Sequence, residues 1–167
     1  IFFTNSDFNI SNSKIAQNNA ISGGGIFMDY YSNIELDIVD FYFNYADNYG
    51  GAIAIEQGSS LKVNRSLIHN NYAPIYGAGI YSWFGAEFML SHVTIANNFS
   101  ETGSGITALA ESNGIIVNSI IWNNGESGLY SMDSNINLYY SNIENGWQGE
   151  KNIRINPQFQ EIGYDNY

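Results

Sequence analysis

The stretch Phe41-Tyr42-Phe43-Asn44-Tyr45-Ala46-Asp47-Asn48-Tyr49-Gly50-Gly51-Ala52-Ile53-Ala54-Ile55 decides the fold, because it joins two signals that recur along the whole chain. The first is an apolar residue followed three positions later by Asn, here Phe41-x-x-Asn44. It returns as Ile15-x-x-Asn18, Ile68-x-x-Asn71, Ile95-x-x-Asn98 and Ile121-x-x-Asn124, with steps of 26, 27, 27 and 26 residues between the Asn positions. The second is a small-residue turn that ends in an aliphatic, here Gly50-Gly51-Ala52-Ile53. It returns as Gly23-Gly24-Gly25-Ile26, Gly77-Ala78-Gly79-Ile80, Gly103-Ser104-Gly105-Ile106 and Ser127-Gly128-Leu129, and extending its column both ways adds Ile1 and Ile153. A fixed period of this length marks a stacked-repeat architecture.

Apolar residues alternate within each period, which is strand periodicity. Three short strands fit each repeat. The first carries pairs such as Ile26/Met28, Ile53/Ile55 and Ile80/Ser82. The second carries Ile34/Leu36, Leu61/Val63 and Phe88/Leu90. The third carries Val39/Phe41, Ser66/Ile68 and Val93/Ile95. No helical pattern competes. One such strand cannot bury its apolar face alone, whereas turns stacked about 4.8 Å apart align the inward columns into a single core. The sequence therefore predicts an all-β coil of about six turns and about 30 Å, spanning residues 1–155. Residues 156–167 follow as a tail that caps or links, through Phe159, Ile162 and Tyr164. The Asn column is expected to take the left-handed conformation at a bend and to hydrogen-bond amide to amide between turns. The Gly pairs serve a second bend, where a Cβ would crowd the next turn.

Composition narrows the function. The chain has 167 residues, 16 acidic against 5 basic side chains, a net charge of -11 and no Cys. That is too few cations for a phosphate-binding surface, so nucleic acid is not an expected partner. Disulfides, thiolate metal sites and Cys nucleophiles are excluded, and no apolar run reaches the roughly 20 residues of a membrane-spanning segment. The chain opens on Ile1, which reads as a mature protein or an excised segment.

Phe41-x-x-Asn44 and Gly50-Gly51-Ala52-Ile53 resemble the FxxN and GGAI signatures of chlamydial-type polymorphic outer membrane proteins. The wider pattern is similar to right-handed parallel β-helix proteins of the pectate-lyase-like superfamily. The stretch from Ser141-Asn142-Ile143-Glu144 through Trp147 to Asn156-Pro157-Gln158-Phe159 resembles the end of many secreted β-helix repeat proteins. The resemblance implies right-handedness and an extracellular or cell-surface location. It implies an active cleft over the first-strand face in those relatives that cleave polysaccharides, and it is nearly silent on this chain's own function.

The outward residues of the first strands read Phe2, Phe27, Ala54, Tyr81, Thr107, Tyr130 and Arg154, with Asp29, Glu56, Trp83 and Met132 just beyond. Phe27, Asp29, Glu56, Tyr81, Trp83 and Tyr130 are the candidate carbohydrate-binding set, because rings stack on sugars and carboxylates accept hydroxyl hydrogen bonds. The competing reading is plain cross-strand packing, at about 0.2–1 kcal/mol per pair. Lyases of this fold need an Arg or Lys base, and only Arg154 falls on this column. Asp29 and Glu56, about 5 Å apart on neighbouring turns, suit a retaining hydrolase pair or a weak Ca2+ site. No catalytic residue, metal site or other cofactor is assigned. His69 and His92 sit in different registers. The inward column Ser13, Ser66, Ser119 and Ser141 reads as small-residue packing with hydroxyls bonded to backbone. Asn9, Asn64 and Asn98 open N-x-S sequons that matter only in a glycosylating host. Outward apolar Met89, Ile115 and Ile120, followed by Trp122, form a candidate assembly patch, with Leu67 beside them. The favoured function is a non-enzymatic secreted or cell-surface structural module, adhesin-type or a filament subunit. Its partner is then another copy end to end or a flanking domain. The alternative is a protein that binds or cleaves a polysaccharide along the first-strand face.

Overall fold

The computed structural model describes residues 1–160 as a parallel β-solenoid without a helix. Strands are numbered β1–β19 in chain order. One sheet consists of β1 (Phe2–Thr4), β4 (Ile26–Asp29), β7 (Ile53–Glu56), β10 (Ile80–Trp83), β13 (Ile106–Leu109) and β16 (Leu129–Met132), all parallel and in sequence order. These six strands bound about five complete turns. The second strands are β2 (Asp7–Ala16), β5 (Asn33–Tyr42), β8 (Ser60–Asn64), β11 (Glu87–Ser91), β14 (Asn113–Val117) and β17 (Asn135–Tyr139). The third strands β9 (Leu67–His69), β12 (Thr94–Ala96), β15 (Ile120–Trp122) and β18 (Asn142–Ile143) belong to the same sheet, because β2 and β5 run unbroken through the bend. A fourth, short column that the repeat did not announce follows the Asn positions: β3 (Asn19–Ser22) pairs with β6 (Tyr45–Tyr49), and bridges Tyr45↔Tyr72 and Tyr72↔Phe99 continue it.

The alternation places the core as expected. Ile26, Met28, Ile53, Ile55, Leu36, Leu61, Val63, Phe41, Ile68 and Ile95 are all fully buried in one continuous cluster. Large and small residues complement each other between turns: the Phe88 ring occupies the space that a Cβ on its register partner Gly114 would need.

Three columns of side chains close the bends. Asn18, Asn44, Asn71, Asn98 and Asn124 form a single file, each Nδ2 donating to the next Oδ1 at 2.9–3.0 Å. The backbone N–H of Asn44, Asn71 and Asn98 donates to the same Oδ1 of the next turn. Before the third strands, Val39, Val93 and Ser119 donate their N–H to the hydroxyls of Ser66, Ser119 and Ser141 in the following turn. Before the second strands, Ser32 and Ser112 donate to the hydroxyls of Ser59 and Ser134. In every case the donor lies in one turn and the side-chain oxygen in the next.

Two expectations need correction. The ladder Asn residues do not take the left-handed conformation. The residues before them do, Gln17, Phe43, Asn70, Asn97 and Asn123, with φ between 53° and 57°. The bend is made one position earlier, which turns the Asn amide inward to stack. The Gly column does carry positive φ, at Gly50 for example (64°), while Gly51 sits where a Cβ would press on the carbonyls of Tyr72 and Ala78.

The second correction concerns the end of the coil. Ile153 is not a first-strand residue. It bridges Asn142 of the third-strand column, and β19 (Gly149–Glu150) pairs with β17. After β18 the chain cuts straight back to the second sheet. Trp147 packs on the core there and donates its indole N–H to the Ile136 carbonyl at 3.1 Å. Of the expected tail, Phe159 is half-exposed, and Ile162 and Tyr164 lie outside the described residues.

Candidate functional site

The register sets the outward line of the first sheet as Phe2, Phe27, Ala54, Tyr81, Thr107 and Tyr130, neighbour on neighbour. Arg154 is not on it, because the chain leaves the first sheet after β16; the one cation assigned to this face is therefore absent from it.

The line is not an open surface. Ala54 and Thr107 are fully buried, and Tyr81 is only 5% exposed. Tyr49 and Tyr76, which enter from the fourth column and the turn after it, cover them. The Tyr81 ring lies 4.8 Å from Tyr49 and 6.4 Å from Tyr76, and Tyr76 stacks on Tyr130 at 6.4 Å. Desolvation pushes the Tyr81 hydroxyl well above its ordinary pKa, with the charge of Glu56 and the neighbouring Tyr49 and Tyr76 adding to the effect. Tyr81 and Tyr130 therefore serve, with Phe27, in the packing of a satellite cluster that fills this stretch of the face from within, while Trp83 stays outside it.

The residues just beyond remain accessible at one edge. Asp29 and Glu56 are lateral neighbours, since Met28 pairs with Ile55, and Glu56 is in turn opposite Trp83. Asp29 is buried and accepts the Tyr30 N–H at 2.9 Å. Glu56 is half-buried. Its carboxyl is pushed above the usual range, first by desolvation and then by the Asp29 charge. A raised carboxyl is what a general acid needs, but among the described residues no group of three or more His, Asp or Glu is placed to hold a metal ion and no ion pair neutralises the two carboxylates. Around it stand Tyr30, Tyr31, Trp83 and Phe84. Tyr30, Tyr31 and Phe84 hold the left-handed conformation at the bend (φ 48°, 58° and 55°), where Asn5 and Gln57 serve in other turns.

Other sequence candidates fall elsewhere. Met89 and Ile115 are register neighbours and each 43% exposed, whereas Ile120 and Trp122 lie on the third strands and are only half-exposed. His69 pairs with Asp40 at 3.1 Å and stacks on Tyr42, while His92 sits at the bend against Ser91. Arg65 makes a two-pronged pair with Asp37, which holds that carboxyl below its ordinary range through the hydrogen bonds. Of the sequons, Asn9 is exposed, but Asn98 is 1% exposed and committed to the ladder, so it is no acceptor in the folded protein.

One exposed feature escaped the sequence reading. Tyr45, Tyr72 and Phe99 stack along the rod at 5.2 and 5.9 Å, with planes within 12°. Their signal was available: an aromatic follows the ladder Asn in three consecutive repeats. Tyr72 has a ring on either side, whereas Tyr45 and Phe99 have one each, so the line stabilises the stack.

The family described as "Right handed beta helix region" matches residues 1–151. The chain belongs to this right-handed β-helix family. No curated protein and no solved structure matches it. Within the β-helix family the distinction between pectate-lyase-like and polymorphic-outer-membrane-type repeats is not drawn by this match, and the family description names a fold without a reaction.

Proposed function

We propose that this β-helix is a non-enzymatic structural module of a secreted or cell-surface protein, a stiff rod that holds side chains in fixed lines for attachment or assembly. The observation that supports this reading is the filled outer face of the first sheet. A polysaccharide lying where it lies in the cleaving relatives would have to displace Tyr49 and Tyr76 from Tyr81, and would meet neither Arg nor Lys on any described first strand. Glu56 and Asp29 retain a carboxylate pair, but no described Arg or Lys stands on the first strands beside it.

The reading is tested by incubating the purified protein with a panel of acidic and neutral polysaccharides, with and without Ca2+, and measuring new reducing ends and unsaturated uronates. No release above a heat-denatured control is expected. Release that disappears in Glu56→Gln would establish catalysis at this edge and end the structural reading.

A further inference from the structure

The edge where the first strands turn into the second carries four aromatic side chains that the fold does not use. Tyr30 is 54% exposed, Tyr31 72%, Phe84 60% and Trp83 37%. Tyr31 rests against Gly58, and Trp83 and Phe84 lie 5.4 Å apart, tilted by 40°. In the Tyr45 line each ring stacks on at least one neighbour; these four are not joined into such a stack. Apolar area of this kind, concentrated on one edge, marks a docking surface.

The charge around it says what docks. One carboxylate per turn lies at or beside the edge through six successive turns, in three registers: Asp29, which is buried, and Glu56 end first strands, Glu111 and Asp133 lie in the turns, and Asp7 and Glu87 open second strands. No Lys, Arg or His occurs in the first strands or in the turns that follow them. Lys14, Arg65, Lys151 and Arg154 lie farther on, at the bend after the second strands, along the third strands and in the chain that follows, where every described ion pair is also made; Lys62, on β8, stands beside the edge and lines a surface cleft with Asp7. With turns about 4.8 Å apart, the acidic line is about 24 Å long. An extended peptide of seven or eight residues covers that length at about 3.3 Å per residue, with alternate side chains facing the edge. Lys or Arg in those positions meets carboxylates along the whole run, and a guanidinium also stacks on Tyr, Trp or Phe faces.

We propose that this edge docks a cationic polypeptide segment in extended form, aligned with the rod axis, its Arg and Lys side chains set among the carboxylates and against Tyr31, Trp83 and Phe84. The inference goes beyond the structural reading, which stands or falls on the absence of polysaccharide cleavage and not on whether this edge is occupied.

The test is fluorescence anisotropy on the purified chain with a labelled nonapeptide of alternating Arg and Ser, its Glu/Ser counterpart, and chitohexaose as competitor. The Arg peptide is expected to bind and the Glu peptide not, with affinity falling at least ten-fold between 50 and 500 mM NaCl as screening shortens the reach of the charges. The triple variant Glu56→Gln/Glu111→Gln/Asp133→Asn is expected to bind at least ten-fold more weakly. The charge-matched triple Asp47→Asn/Glu101→Gln/Glu126→Gln, on the opposite flank of the first sheet, is expected to stay within two-fold. Tyr31→Ala/Phe84→Ala, both exposed and therefore neutral to folding, should weaken binding by a similar factor at either salt concentration. Equal losses in the two charge triples would overturn the proposal, since net charge alone would then explain the binding. So would failure of the Arg peptide to bind, or binding of chitohexaose in its place, which would make the edge a sugar site.

Discussion

Replacing Asn71 by Ala should be among the most damaging single changes in the rod. Asn71 is 1% exposed. Its Nδ2 donates to the carbonyls of Phe41 (3.1 Å) and His69 (2.9 Å) and to Asn98 Oδ1 (2.9 Å). Its Oδ1 accepts from the N–H and the Nδ2 of Asn44, both at 3.0 Å. Truncation leaves the Asn44 N–H and one of its amide hydrogens without an acceptor and the Phe41 carbonyl without this donor. At about 1–3 kcal/mol for each of these two orphaned buried donors, the loss is roughly 2–6 kcal/mol. Asn18 heads the same file at the exposed end; its Nδ2 donates to Ala16 and Asn44, and no ladder amide donates to it. Asn18→Ala should therefore cost less than about 1 kcal/mol. Asn71→Asp, which keeps the shape, sets an oxygen against three oxygens. Its folded pKa is raised above the unfolded value, so its stability is greatest below the unfolded pKa and falls as pH rises through the folded one. Urea unfolding followed by far-UV circular dichroism, compared at matched slopes, should rank the proteins at pH 7 as wild type, Asn18→Ala, Asn71→Ala and Asn71→Asp, with the last recovering towards pH 4. If Asn71→Ala and Asn18→Ala fall within 1 kcal/mol of each other, the ladder is an ornament of the fold and the reasoning fails.

Gly114→Ala should destabilise by about 1–3 kcal/mol, because its methyl group enters the Phe88 ring; adding Phe88→Leu should recover part of that loss in a double-mutant cycle, and strict additivity would refute the contact. Ser82→Ala should raise stability by about 1 kcal/mol, since Ser82 Oγ is buried without a hydrogen-bond partner between Ile55 and Ala108; a loss in thermal unfolding would mean the hydroxyl has an unseen partner. Glu56→Gln should stabilise at neutral pH. The folded Glu56 carboxyl is raised above its unfolded value, so the wild-type contribution is intact below the unfolded pKa and is lost as pH rises through the folded one. The advantage of Gln should therefore vanish on acidification, and a pH-independent difference would point to packing instead.

The architecture was legible because the period is short and nearly constant. Once Phe41-x-x-Asn44 and Gly50-Gly51-Ala52-Ile53 are aligned with their copies, alternation alone assigns Ile53, Ile55, Leu61 and Val63 to the core. What alternation cannot reveal is whether an outward position stays wet. Tyr81 faces away from the core but is covered by Tyr49 and Tyr76, which belong to a column whose strand content, mostly single bridges, leaves no alternating pattern to read. The misplacement of Ile153 has a similar cause: Ile-x-Ile spacing fits a first strand, yet the short cut after Ile143 and the packing of Trp147 are decided in three dimensions. The conformational role assigned to the Asn file was off by one residue, because a file of Asn satisfies two physical readings, left-handed bend and amide stack, and only the backbone angles separate them.

The bonds of the Asn and Ser files that end on a side-chain oxygen all point one way, to the turn that comes later in the chain, while Asn44, Asn71, Asn98 and Asn124 also donate an amide hydrogen back to the carbonyls of Ile15, Phe41, Ile68 and Ile95 in the turn before. The final member of the Ser file is served by the closing segment, in which Asn152 accepts from Ser141, and Glu144 accepts from Asn123 beside the last ladder Asn. The bonds to side-chain oxygens thus give these files a direction. During synthesis a newly emerged turn keeps hungry donors until its successor exits the ribosome, whereas its predecessor is already complete. Trimming whole turns from the amino end strands one amide hydrogen of the new first Asn, whereas trimming them from the carboxyl end strands a backbone N–H and an amide hydrogen of the new last Asn and a backbone N–H of the Ser file, so the same number of residues removed should cost more at the carboxyl end.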